Sequence, residues 1–91
     1  MQVTVKKKVK WYLDSGCSRH MTGDSNCFIK LAQVNGGKVS FGGNSKGSIV
    51  GFGTVKIGNL TISNVSLVEG LNYNLLSISQ LCDTGFKIFF Q

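Results

Sequence analysis

Apolar residues in this chain come in short runs, and glycine interrupts most of them. Val3 and Val5 alternate with Gln2, Thr4 and Lys6, the period-two pattern of a half-buried strand. Trp11 to Leu13, Phe28 to Val34, and Val39 with Phe41 read as further strands. Ile49 to Ile57 and Val65 to Val68 follow. Gly58-Asn59 joins Val55-Lys56-Ile57 to Leu60-Thr61-Ile62, a two-residue connection that predicts a tight hairpin. Gly42 to Gly47 is the strongest turn signal, and Met21 to Asn26 reads as a polar turn around Gly23-Asp24. Twelve glycines and no proline leave Gly, Asn and Ser to make the turns.

One segment is helical in pattern. Ser77-Ile78-Ser79-Gln80 fits a capping box, in which the Ser77 hydroxyl accepts from the Gln80 amide and the Gln80 side chain reaches back. Leu81 and Cys82 follow Ile78 by three and four residues, on one face. Gly85 is placed to end the helix in a left-handed conformation. Phe86, Ile88 and Phe90 then alternate as a last strand. The expectation is an all-β domain with one short C-terminal helix.

Ninety-one residues make one small domain. A chain of this size buries roughly 60–65% of its unfolded surface, so a partner chain would add to a modest core. Charged residues are 15% and apolar residues 42%, which argues against disorder. The net charge is +6, with Lys6, Lys7, Lys8 and Lys10 clustered in residues 1–10. No aromatic residue interleaves with them as on a nucleic-acid stacking platform, so they read as a solvated arm or a linker before a domain at 11–91. No signal-peptide pattern opens the sequence, and no apolar run nears the roughly 20 residues of a membrane span. Three cysteines, an odd number, fit reduced thiols in an intracellular compartment, with no secretion and no membrane partner.

Asp14-Ser15-Gly16 carries the chemistry. Only four acidic residues are present, and Asp14 stands where the apolar run Trp11-Tyr12-Leu13 breaks into a turn. An Asp-Ser/Thr-Gly turn after an apolar strand is how aspartic proteases present their catalytic carboxylate. That chemistry needs two carboxylates about 3 Å apart, which cannot both ionise and so share a proton. The ionised member takes a proton from water; the protonated member donates to the carbonyl oxygen. Asp83-Thr84-Gly85 is a second match, but it follows a helical pattern and only six residues lie beyond it. It reads as a helix end. One usable carboxylate per chain makes the motif a statement about assembly.

The surrounding residues make the first match specific. Trp11-Tyr12-Leu13-Asp14-Ser15-Gly16-Cys17-Ser18-Arg19-His20-Met21-Thr22-Gly23 closely resembles the protease segment of copia-type LTR retrotransposon polyproteins. So do Val39-Ser40-Phe41-Gly42, Ile49-Val50-Gly51-Phe52-Gly53-Thr54-Val55 and Asn74-Leu75-Leu76-Ser77-Ile78-Ser79-Gln80-Leu81. The resemblance implies a retropepsin-like acid protease barrel with a half-site per chain, pairing into a symmetric homodimer that cleaves its own polyprotein. It implies Asp14 as the catalytic carboxylate, with Ser15 and Gly16 completing the turn. It places Gly42, Gly43, Asn44, Ser45, Lys46 and Gly47 at a substrate-binding flap, and makes Leu75 and Leu76 the apolar pair beneath the active-site turn. The compartment it implies is the cytoplasm or a virus-like particle. The sequence departs from related patterns at Ser77, where retroviral enzymes carry glycine. It departs also at Glu69, where proline is common, and at Gly43, where an acidic residue is common.

Other groupings carry less. Cys17, His20 and Cys27 match no closed zinc knuckle or finger, so no metal is assigned, and no cofactor is implied. His20 reads as a loop residue near the site, and Cys17 as a packing residue. Gly51-Phe52-Gly53 lacks the third glycine and the helix of a phosphate loop and reads as a bent strand. Two alternatives to the endopeptidase stay open: a non-catalytic basic β-domain binding nucleic acid or a protein partner, and a protease fold that remains a monomer without turnover.

Overall fold

The structure, a computed structural model, describes residues 10–41 and 43–85. The strands expected at Val3–Val5 and Phe86–Phe90, the lysines before Lys10, and Gly42 lie outside the described residues. The elements are β1 (Tyr12–Asp14), β2 (His20–Thr22), β3 (Phe28–Gln33), β4 (Lys38–Ser40), β5 (Lys46–Ile57), β6 (Leu60–Glu69), β7 (Asn74–Ser77) and α1 (Ile78–Asp83). A 3₁₀ turn at Ser25–Cys27 precedes β3. Among the described residues the domain is all-β with a single short helix at its C-terminal end.

The long β5–β6 hairpin forms where the sequence places it. Ile57 faces Leu60 across Gly58-Asn59, and Gly58 takes the positive φ of +59° that such a turn needs. Pairing shifts register between Gly53 and Val55, opposite Ser63 and Asn64, and Asn64 itself sits at φ +63°. The polar break between Leu60–Ile62 and Val65–Val68 is therefore a bulge inside one strand.

The sheet order is β1-β7-β2-β6-β5-β3, with β4 also paired to β5. Strand β7 thus threads between β1 and β2, parallel to the first and antiparallel to the second. Its alternation serves two cores. Leu75 packs on Met21, Ile49, Val68 and Leu71; Leu76 packs on Val55, Ile62, Val65 and Leu81. Trp11, just before β1, and Phe28, which opens β3, both pack on the second cluster, so the two edges of the sheet curve round one core. Full burial of one such side chain contributes roughly 1.5–3 kcal/mol.

The stretch expected as a polar turn, Met21 to Asn26, is corrected in its first part. His20–Thr22 is a strand buried between β6 and β7. Three residues are too few for alternation to show, and two of them are polar. Tertiary partners satisfy them. Thr22 Oγ1 donates to Asn74 Oδ1 and accepts from the Asp24 amide, while Asn74 Nδ2 donates to the Lys10 carbonyl. This chain of bonds ties the approach to β1 onto β7 and β2. Met21, 1% exposed, anchors the first cluster. Met21→Ala should cost about 2–5 kcal/mol, read as a lower urea midpoint at unchanged slope; a midpoint within error of wild type would remove it from the core.

Ser77 caps α1 as expected, its hydroxyl accepting from the Gln80 amide at 3.1 Å. The reciprocal half of the capping box does not form. The Gln80 side chain instead accepts from the His20 amide at 3.0 Å and donates to the Asn64 carbonyl at 2.9 Å. Leu81 is buried but Cys82 is exposed, because the short helix packs a narrower face than the sequence spacing suggests. Gly85 ends the helix at φ +91°, its amide donating to the Cys82 carbonyl, so Asp83-Thr84-Gly85 is a helix terminus.

Candidate active site

Asp14 is the last residue of β1, in parallel register with Ser77 of β7. The backbone turns at once through Ser15 and Gly16, and the Gly16 amide donates to Asp14 Oδ1 at 2.7 Å. This closed turn fixes the carboxylate against its own main chain. A Cβ at Gly16 would sit 3.2 Å from that oxygen, so glycine leaves the carboxylate room. On the other side the Cys17 thiol donates to the Asp14 carbonyl at 3.6 Å. Burial, and then the negative charge of Asp14, push the Cys17 thiol above its ordinary range. It is a protonated donor packed on the first core cluster, not a nucleophile.

Two hollows meet at Asp14. A cleft of about 330 Å³ runs between it and β4, with Met21, Val39, Phe41 and Leu75 as its apolar walls and Arg19 at its rim. A second hollow, about 370 Å³, is walled by Tyr12, Phe41, Tyr73 and Leu75. Phe41 and Leu75 are common to both, so they form a ridge beside the carboxylate. Asp24, Glu69 and Asp83 line neither hollow. The arrangement therefore offers one carboxylate over a groove with both polar and apolar walls. Tyr12 and Tyr73 meet edge to face at 6.4 Å and, with Leu13, leave exposed apolar surface next to the site.

The residues named from the sequence fall in several places. Ser15 and Gly16 lie in the Asp14 turn and are exposed. Leu75 lines both hollows, whereas Leu76 faces the opposite core. Of the glycine-rich loop, Gly43 (φ +54°) and Asn44 form a turn, and the Phe41 amide donates to the Ser45 carbonyl. Lys46 and Gly47 already belong to β5, and Gly47 is buried where a Cβ would collide with the Glu69 carbonyl. Val39, Ser40 and Phe41, just before that loop, line the cleft. Arg19 and Met21 line the first hollow and Tyr73 the second; the sequence carries the first two inside the Asp14 motif without a role and offers no signal for Tyr73.

His20 is not a loop residue. It is 1% exposed, and its Nδ1 accepts from the Ser77 amide at 3.0 Å. Burial pushes it below the ordinary histidine range. Thr22 Oγ1 stands 4.0 Å from the Cys27 sulfur, so Cys17, His20 and Cys27 are each turned to a different partner. Among the described residues no group of three or more His, Cys, Asp or Glu side chains could hold a metal ion.

Residues 11–86 match the family model described as the Pol polyprotein, beta-barrel domain. The chain belongs to that family. A putative transposon Ty5-1 protein of Saccharomyces cerevisiae is 33% identical to this barrel domain over 76 residues, covering 84% of this chain and 52% of the yeast protein. The chain thus spans about half the length of that relative. No solved structure matches it. Within this Pol barrel the matched region takes in the Asp14 turn, both hollows, and the threaded strand β7. No helix among the described residues is long and apolar enough to cross a membrane.

Proposed function

We propose that this barrel is one half of an aspartic endopeptidase that acts on extended segments of its own retrotransposon Gag-Pol polyprotein. The observation that carries the reading is Asp14, held by the Gly16 amide at the end of β1, beside the threaded β7 and at the junction of two hollows that share the apolar side chains Phe41 and Leu75. The same threading of β7 between β1 and β2 supports a retropepsin-like arrangement. Two copies related by a two-fold axis bring their Asp14 turns together, and the exposed Tyr12, Leu13 and Tyr73 beside the turn give each copy apolar surface to bury.

In such a pair the carboxylates share one proton. The ionised Asp14 removes a proton from water as the oxygen attacks the scissile carbonyl carbon, and the protonated Asp14 gives its proton to the carbonyl oxygen. Collapse of the resulting diol breaks the carbon–nitrogen bond, with a proton passing from a carboxyl group to the leaving nitrogen. Apolar side chains flanking the scissile bond would occupy the hollows on either side of the Phe41–Leu75 ridge.

The test is cleavage of a peptide from the polyprotein at mildly acidic pH across a dilution series. Specific activity should rise with protein concentration and level off where sedimentation finds dimer. A sedimenting dimer that cleaves nothing would sink the proposal.

A further inference from the structure

We infer that His20 positions the Asp14 turn: its imidazole holds the end of β7 in register beside Asp14. The inference rests on the endopeptidase reading only where activity is measured.

The geometry starts from where the β2–β7 ladder stops. Those strands pair at Thr22 with Asn74 and at Met21 with Leu75. Continued one step, the register would set His20 against Leu76, but the backbone ladder is already over. Beyond that point the end of β7 is held by a side chain: the Ser77 amide donates to His20 Nδ1 at 3.0 Å. Ser77 is the residue in register with Asp14 on the other side of β7. Whatever fixes the height of Ser77 therefore fixes the strand end on which the Asp14 turn rests.

The attachment is a closed ring of bonds. The His20 amide donates to Gln80 Oε1, the Gln80 amide donates to Ser77 Oγ, and the Ser77 amide returns to His20 Nδ1. Gln80 Nε2 fastens the ring to β6 through the Asn64 carbonyl, at the bulge where Asn64 turns to positive φ. His20 and Ser77 are 1% and 0% exposed, so an unpaired amide here would be costly.

A ring nitrogen accepts only when it carries no proton. The bond to Ser77 thus requires neutral imidazole with its proton on Nε2. Burial favours that form and lowers the His20 pKa from its ordinary value. The charged and titratable groups on the surrounding elements are Glu69 on β6, Cys82 and Asp83 on α1, Tyr12 and Asp14 on β1, and Arg19 and Asp24 beside β2. Of these Asp14 and Asp24 are half-buried and the others exposed, and burial alone accounts for the shift. A histidine whose folded pKa is lowered takes up its proton more readily when unfolded. Its stabilising bond is intact above about pH 6.5 and is lost as pH falls through the lowered folded value. The hold on Ser77 therefore sets an acid limit that does not belong to the carboxylates.

The experiment compares wild type, His20→Asn and His20→Leu by amide NMR and by peptide cleavage from pH 4 to 8. Asparagine can place an acceptor oxygen near the Nδ1 position and does not titrate; leucine offers no acceptor. In wild type the Ser77 and Gly16 amide resonances should move together with the His20 titration. In His20→Asn that movement should vanish while the Gly16 resonance keeps its neutral-pH position. His20→Leu should displace it at every pH. In cleavage, His20→Leu should lose about 10²-fold in kcat with KM little changed, as a small misplacement of a reacting group does. His20→Asn should recover most of that and lose one acid-side titration. If Ser77 and Gly16 are indifferent to the wild-type His20 titration, the inference is overturned, whether or not His20→Leu folds. If wild type cleaves nothing yet the resonances move as stated, the positioning stands and only the endopeptidase reading fails.

Discussion

Asp14→Asn should reduce peptide cleavage by about a thousandfold or more while leaving the barrel folded. General acid–base groups contribute about 10²–10⁴ in rate, and in the proposed homodimer this substitution removes both members of the pair at once. The fold should tolerate it. An asparagine Oδ1 can still accept from the Gly16 amide, the one hydrogen bond to the Asp14 side chain among the described residues. Thermal midpoints should therefore agree within a degree or two while kcat collapses. Mixing gives a second readout. When equal amounts of wild type and variant exchange subunits at random, about a quarter of the dimers keep two carboxylates. Activity should fall well below the half expected if each chain worked alone. Full activity in Asp14→Asn, or a strictly linear response to mixing, would assign the cleft some other role.

The features that could be read from the sequence are those with local causes. Gly58-Asn59 makes its hairpin because two residues and a positive φ suffice. Ser77 caps α1 and Gly85 ends it because each needs only its own neighbours. The Asp14 turn is equally local, closed by an amide two residues away. What could not be read depends on partners distant in the chain. His20–Thr22 is a strand only because β6 and β7 flank it, and its polar side chains look like surface until Ser77 and Asn74 are brought to them. Gln80 carries the right residue type for a capping box, yet a partner 60 residues away wins its carbonyl oxygen. The start of β5 was hidden for a similar reason. Lys46 and Gly47 look like loop, but β5 needs them to pair with β4.

Gly23→Ala should be strongly destabilising, and glycine here serves close approach, not a turn. An alanine Cβ at Gly23 would overlap the Leu71 carbonyl oxygen and lie 2.8 Å from the carbonyl carbon. Both are backbone atoms, so no rotamer change relieves the clash. Either the end of β2 or the β6–β7 connection must shift. Leu71 is 5% exposed and belongs to the cluster with Met21, Ile49 and Val68, so moving it opens that core. Overpacking of this kind costs about 1–3 kcal/mol and sometimes more; a backbone-on-backbone clash belongs at or beyond the top of that range. Small domains hold only about 5–15 kcal/mol in all. Gly37→Ala is the matched control. Gly37 sits at φ +80°, and a Cβ added there would have nothing within 4 Å, so alanine meets only the left-handed backbone penalty. That penalty is about 1–2 kcal/mol. Urea midpoints should fall much further for Gly23→Ala than for Gly37→Ala. The reverse order would mean that β2 and the Leu71 connection separate at little cost. The threaded arrangement that carries Asp14 would then be looser than its hydrogen bonds imply.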